Sequence, residues 1–251
     1  MHDIRVKNVE ALGMKPHTTL SAKLLTPSTL LLLSAFANAE TYFTDISYSL
    51  LRGREYEVGE SQRNVGTLEF VSAGSWGDVF FFYDHLRFDN GQTDDYWELQ
   101  PRFKLASFTE SGSVKQLYVA TQWEHSEFQD NFLIGPGADF NIPGFQFFQI
   151  NTYYRENQDA DNNFQITSVW AAPFEIGSTQ WLFDGFVDWA SSTDNAAANL
   201  NFTPQLKWNM GKKLNLSNPL YLGLEYTYWN NKFGIKGVTE NNLNVLLKYH
   251  F

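Results

Sequence analysis

The stretch Leu243-Asn244-Val245-Leu246-Leu247-Lys248-Tyr249-His250-Phe251 alternates in polarity and stops on an aromatic residue. Leu243, Val245, Leu247, Tyr249 and Phe251 fall on one face; Asn244, Lys248 and His250 fall on the other, with Leu246 the exception. Successive side chains of a strand point to opposite faces, so this is the pattern of a β-strand with one apolar side. Working back along the chain, the same alternation recurs. In residues 96–105, Trp97, Leu99, Pro101, Phe103 and Leu105 share one face and Tyr96, Glu98, Gln100, Arg102 and Lys104 the other. In residues 199–210, Leu200, Phe202, Leu206, Trp208 and Met210 oppose Asn199, Asn201, Thr203, Gln205, Lys207 and Asn209.

Twelve such segments are predicted: 42–51, 64–72, 78–88, 96–105, 115–125, 132–142, 145–155, 163–172, 181–189, 199–210, 220–229 and 243–251. Residues 132–155 read as a hairpin turned at Pro143-Gly144, and residues 78–88 are apolar on both faces. Pro101, Pro136 and Pro204 stand inside proposed strands and count against the register, because proline removes a ladder hydrogen bond.

Each segment has about ten residues, enough to cross a bilayer when tilted. Aromatic residues make up 17% of the chain, with 8 Trp and 22 Phe. After residue 39 no apolar run approaches the ~18 residues of a membrane helix. A barrel reconciles these facts, because only alternate residues meet lipid. The expected fold is all-β: one domain, a transmembrane antiparallel barrel of about twelve strands in the bacterial outer membrane. Outer-membrane lipid is an expected partner, as is the assembly machinery that reads a terminal strand ending like Phe251.

An even strand count puts both chain termini of the barrel on the same side, taken as periplasmic. The connections on the outer side then gather acidic residues: Glu55, Glu57, Glu60, Asp89, Asp94, Asp95, Asp130, Glu156, Asp159, Asp161, Asp194 and Glu240. Solvated loop tips account for these, or an acidic mouth that draws in cations and neutral polar solutes.

Lys15 and Lys23, the apolar segment 24–36 (LLTPSTLLLLSAF) and Ala37-Asn38-Ala39 make a secretory signal peptide. Cleavage after Ala39 leaves the barrel as residues 40–251, and Met14 is a more usual start than Met1, so residues 1–13 read as a mis-called start. There is no cysteine. The formal charge is −10; residues 1–39 hold four basic and two acidic residues, so the exported part stands at −12. That balance argues against nucleic acid as a partner.

The stretches YWELQPRFKL (96–105), VKQLYVATQWEHS (114–126), FLIGPGADFNIPG (132–144) and LNVLLKYHF (243–251) resemble the nucleoside-specific channel family of outer-membrane porins, the Tsx-like and OmpK-like proteins. Glu98, Pro101, Arg102 and Phe103 match an E-x-x-P-R-F strand; Trp76, Asp78, Phe80, Phe82 and Asp84 match a W-x-D-x-aromatic strand that reaches a second Asp. The resemblance runs over residues 65–251. It implies a monomeric twelve-stranded barrel with a narrow pore and passive nucleoside uptake through aromatic and ionisable side chains. The short outer loops and residues 42–51 depart from the family pattern.

A nucleoside offers a flat base to aromatic faces and ribose hydroxyls to carboxylates. Inward-facing candidates for stacking are Phe80, Phe82, Tyr96, Tyr118, Phe147 and Tyr153. Glu69, Asp84, Glu98, Glu124, Asp184 and Glu225 are candidate acceptors, balanced by Arg102, Lys104, Arg155 and Lys207. Small barrels also fill their interiors with such residues merely to exclude voids. No cofactor is expected. His2, His17, His85, His125 and His250 are too scattered for a metal site, and adjacent strand residues around His125 and Ser126 make a poor triad. The expected function is a diffusion channel for small polar solutes, nucleosides foremost; the alternative is a plugged barrel serving as a surface receptor or adhesin. On this facing, Phe103→Arg should harm assembly, whereas Arg102→Ala should spare it and alter conductance.

Overall fold

The computed structural model describes residues 40–109, 112–158 and 160–251. The segment 1–39, expected to be a signal peptide, and Asp159 lie outside the described residues. Twelve strands run in chain order: β1 (Thr41–Gly53), β2 (Arg63–Gly74), β3 (Gly77–Phe88), β4 (Thr93–Ser107), β5 (Val114–Ser126), β6 (Asp130–Phe140), β7 (Phe147–Asn157), β8 (Asn163–Ile176), β9 (Thr179–Ala190), β10 (Asn199–Asn209), β11 (Leu220–Asn230) and β12 (Thr239–His250). Each pairs antiparallel with its sequence neighbours, and β12 returns to β1 to close the barrel. The closing register runs from Ser47 opposite His250 to Arg52 opposite Val245. Phe251 N–H adds a bond to the Ile46 carbonyl at 3.0 Å.

The exterior is apolar. Ile46, Leu50, Leu68, Ile134, Ile166, Leu206, Leu222, Leu224, Leu243, Val245 and Leu247 are all exposed. A continuous band of this kind is not sustained in water, and a closed sheet leaves no unpaired edge to hydrocarbon. Aromatic pairs ring the two ends of the band. Near the outer end Trp97 meets Trp123 (5.0 Å between centroids) and Tyr154 meets Phe164 (5.8 Å); near the periplasmic end Phe174 meets Trp181 (6.4 Å) and Tyr249 meets Phe251 (5.2 Å). Interfacial aromatic girdles flank the apolar band of outer-membrane barrels. This is a transmembrane barrel of the outer-membrane type.

The three prolines do sit within strands, and all three face lipid. Each interrupts the ladder on one side only. Pro101 keeps its pairing with Val79, Pro136 with Val119 and Pro204 with Gly185. On the interrupted side of the first two, a threonine opposite donates its hydroxyl to the proline carbonyl: Thr121 to Pro101 at 2.9 Å and Thr152 to Pro136 at 3.3 Å. At the third, Gly185 has a φ of 151°, and a Cβ there would lie 2.4 Å from the Thr203 carbonyl oxygen. Only glycine combines that backbone with so close an approach.

Three expectations need correction, and one exception finds its reason. Pro143-Gly144 is not a two-residue turn, because β6 ends at Phe140 and β7 begins at Phe147. β12 starts at Thr239, four residues before the alternation becomes clean. Asp94, Asp95, Asp130, Glu156 and Glu240 belong to strand ends and not to loops. Leu246 breaks the polar face because it packs inside the barrel with Leu51 and Val65.

Val245 stands at the middle of β12 and is 56% exposed on the lipid face. Val245→Arg should destabilise the folded barrel by about 2–4 kcal/mol, read from urea unfolding in lipid vesicles.

Candidate functional site

The strand alternation that puts leucine and valine outside turns the polar half of every strand into the lumen. There the side chains form separate networks along the axis. Nearest the periplasm, Arg102 lies between two strands' carboxylates. Its Nε and Nη2 donate to Asp78 (2.8 and 2.6 Å) and its Nη1 to Asp139 (2.8 Å). The Tyr118 ring lies 4.1 Å under the guanidinium, and its hydroxyl donates to Asp139 at 2.9 Å. On the opposite wall Lys207 donates to Asp184 (2.5 Å) and Gln205 (2.7 Å), while Lys248 pairs with Glu69.

Arg102 is 3% exposed and Lys207 1%. Charges this deep are tolerated only when paired and hydrogen-bonded. Arg102 is therefore a structural hub, and the expectation that Arg102→Ala spares assembly is corrected: the truncation strands two carboxylates.

Farther out, Glu124 accepts from Gln122 (3.0 Å), Asn131 (3.0 Å) and Arg155 (2.5 Å). Glu98 accepts from the Tyr96 hydroxyl, from Gln100 (2.6 Å) and from Gln122 (2.9 Å). Across the lumen Asp188 accepts from Thr167 (2.5 Å), Asp84 from Thr67 (2.5 Å), and Glu225 from Gln205 (2.7 Å) and Asn244 (2.9 Å). Among the described residues, Asp84, Glu98, Asp188 and Glu225 have no ion-pair partner.

Two loops fold over the outer mouth. From the β1–β2 connection, Tyr56 turns inward and donates to Asn244 at 2.8 Å, and Arg63 stacks 3.8 Å from its ring. The backbone N–H groups of Glu55 and Glu57 donate to Asn242 (3.0 Å) and Glu240 (2.9 Å). From the β11–β12 connection, Lys232 opens a short 3-10 turn, Lys232–Gly234, and donates 2.6 Å bonds to both oxygens of Glu240. Burial pushes the Lys232 ammonium down to about 8 from its ordinary 10.5, against the pull of Glu240.

The sixteen predicted residues all lie on the inward side of their strands, but they divide into roles. Phe80, Phe82 and Tyr96 are half-buried and adjacent, with centroids 5.9 and 5.7 Å apart along the row, so they keep faces open to the lumen. Tyr118 and Tyr153 do not: the first is covered by Arg102, the second packed against Ala120 and Leu133. Phe147 is 37% exposed at the periplasmic end of β7, and Lys104 sits at the β-bulge of β4; neither lies beside the outer-half carboxylates. Glu69, Asp184, Lys207, Arg102, Glu124 and Arg155 are held in ion pairs; Asp84, Glu98 and Glu225 are not. Asp188, Gln122 and Asn244 were missed, although each occupies an inward position that the alternation marks; Asn242 fell outside the predicted strand 243–251 and carried no such mark. Tyr56 and Lys232 carried no such mark, because loops have no periodicity.

The half-buried groups define a strip of β3 and β4 (Phe80, Phe82, Asp84, Tyr96, Glu98) facing a strip of β9 to β11 (Asp188, Gln205, Glu225). Between these strips the walls of β5 to β8 and of β12 to β2 are packed: Gln122, Leu133, Tyr153, Leu246, Asn242 and Asn244 are 0–3% exposed. A packed shell with half-buried aromatic and acidic strips inside it is the interior of a transmembrane barrel of the bacterial outer-membrane type.

Within that class the chain belongs to the DUF5020 family, a domain of unknown function, whose model matches residues 43–250. No curated protein matches it in sequence. Among solved structures it is similar to the KdgM porin, at 9% identity and a TM-score of 0.52, over 82% of this chain and 99% of that one. It also matches the Acinetobacter baumannii outer membrane protein Omp33, at 8% identity and a TM-score of 0.40, over 84% of this chain and 98% of that one.

Two measurements test the networks. Arg102→Ala should cost up to about 3–5 kcal/mol in unfolding free energy, because Asp78 and Asp139, both half-buried, lose their counter-charge. The mouth should also respond to pH. With Lys232 at about 8 in the closed mouth and 10.5 once solvated, the open form binds more protons between those values. Raising the pH from 7 to 10 therefore favours closure. A fluorophore at Arg54→Cys, unique in a chain without cysteine, should report it, and Lys232→Arg should flatten the response.

Proposed function

We propose that the protein is an outer-membrane diffusion channel for small polar solutes, with nucleosides as the first class to test. The observation that carries this reading is the cleft. Phe80, Phe82 and Tyr96 expose ring faces beside Glu98 and Asp84, the pairing of flat apolar surface and hydrogen-bond acceptors that a base and its ribose require. Weak, successive contacts of this kind allow a solute to enter and also to leave. Transport down a gradient needs no energy source or cofactor, and such a barrel works as a monomer. The KdgM porin has been observed with disordered oligogalacturonate, a polyanion. The unpaired carboxylates here are unsuited to that cargo.

A specific observation favours a second reading. Tyr56, Leu246, Asn242 and Glu240 are 0–8% exposed at the outer mouth, so the barrel has the packing of a closed vessel there. A barrel shut in this way would act as a surface receptor or adhesin.

Liposome swelling separates the two. A channel should admit nucleosides faster than sugars of similar size, and Phe82→Ala should erase that preference without lowering the amount of folded barrel. A sealed receptor should admit none of them.

A further inference from the structure

The mid-lumen charges do not balance. Glu98, Glu124 and Asp188 stand on the inward faces of β4, β5 and β9, and among the described residues the one ion pair within this set joins Arg155 to Glu124. Arg155 is committed to Glu124, with its Nη2 2.5 Å from Oε2. Among the described residues, every hydrogen bond that Glu98 and Asp188 accept comes from a neutral group: a phenol, two amides and a threonine hydroxyl.

A second observation points into the same place. Gln122 is 3% exposed and lies between the two glutamates, with its Nε2 donating to Glu98 Oε2 at 2.9 Å and to Glu124 Oε1 at 3.0 Å. Those two bonds fix which end of the amide is which, because an oxygen facing two carboxylates would be repelled. The other end, Oε1, is buried and has no hydrogen-bond partner. An unsatisfied buried acceptor beside a surplus of negative charge is costly, and both costs vanish if a cation enters.

We propose that Glu98, Asp188 and the Gln122 carbonyl form a subsite for a small monovalent cation, either an alkali ion or the protonated amine of a passing solute. The subsite rests on the channel reading and narrows it. It sits next to Phe82 and Tyr96, so a solute whose ring lies on those faces presents its polar edge to the carboxylates. The field of the unneutralised acids raises the local concentration of cations and excludes anions, whereas Arg102, Lys207 and Lys248 are tied up in their own pairs.

The test is the reversal potential of single channels in a planar bilayer under a tenfold KCl gradient. Wild type should be cation-selective, with a potassium-to-chloride permeability ratio well above unity. Glu98→Gln with Asp188→Asn should lower that ratio several-fold. Both changes keep acceptors for the donors already present, and heat-modifiable gel mobility will confirm that the barrel is folded. Glu127→Gln, in the exposed β5–β6 connection, should leave the ratio unchanged. To distinguish the sources, lysine added on one side should slow potassium current through wild type if amines use the site; potassium selectivity without block assigns it to alkali ions. A ratio that is unaltered in the double variant, or that falls with Glu127→Gln instead, overturns the subsite while the channel stands. A wild-type barrel that passes no current overturns the channel and the subsite together.

Discussion

In hydrocarbon a backbone N–H or carbonyl without a partner costs several kcal/mol, and this constraint governs the whole molecule. β12 must therefore find β1, and the pairing from Ser47–His250 to Arg52–Val245 is what turns an open meander into a vessel. The same requirement explains the prolines. A proline breaks the ladder on one of its two sides, and at that break Thr121 and Thr152 donate their hydroxyls to the carbonyls of Pro101 and Pro136 themselves. Closure also decides the chemistry of the interior. With alternation fixed by the pleat, every apolar residue turned to lipid turns its polar neighbour inward, where it must find partners among its own kind.

The lumen is thus built from two sorts of charge. Arg102, Lys207, Lys248 and Lys232 each sit within hydrogen-bond reach of a carboxylate and are buried. They join strands that are far apart in sequence: Lys248 to Glu69, and Arg102 to both Asp78 and Asp139. Asp84, Glu98, Asp188 and Glu225 lie in the half-buried strips, and among the described residues none of them has an ion-pair partner. The shell is stabilised by pairing, and the cleft is left with charge.

The fold was almost entirely legible in the sequence, and for a simple reason. Lipid exposure imposes a period of two on every strand, so 96–105, 199–210 and 243–251 announce their facing without any knowledge of neighbours. The proline-bearing strands looked doubtful because the compensating donors, Thr121 and Thr152, lie on adjacent strands at positions fixed only by register. The lumen was legible as a roster of inward residues and illegible as a site. Tyr118 and Arg102 both point inward, yet whether Tyr118 offers a face or lies beneath a guanidinium depends on how β4 and β5 are aligned. Asp94 and Glu240 show the limit at strand ends: read as loop acids, they belong to β4 and β12, and Glu240 is buried under Lys232.

The unpaired carboxylates raise a question that stability does not answer. All the partners of Glu98, Asp188, Asp84 and Glu225 are donors: hydroxyls of Tyr96, Thr167 and Thr67, and amides of Gln100, Gln122, Gln205 and Asn244. A glutamine or asparagine oxygen accepts such bonds as well, without the penalty of a desolvated charge. Packing alone would thus be served as well by amides, as it already is at Asn242 and Asn244 on the sealed wall. Charge at these four positions is a cost to the folded barrel that shape and hydrogen bonding do not require. On the channel reading proposed above, its return comes from a solute moving through the lumen and not from the architecture that holds it.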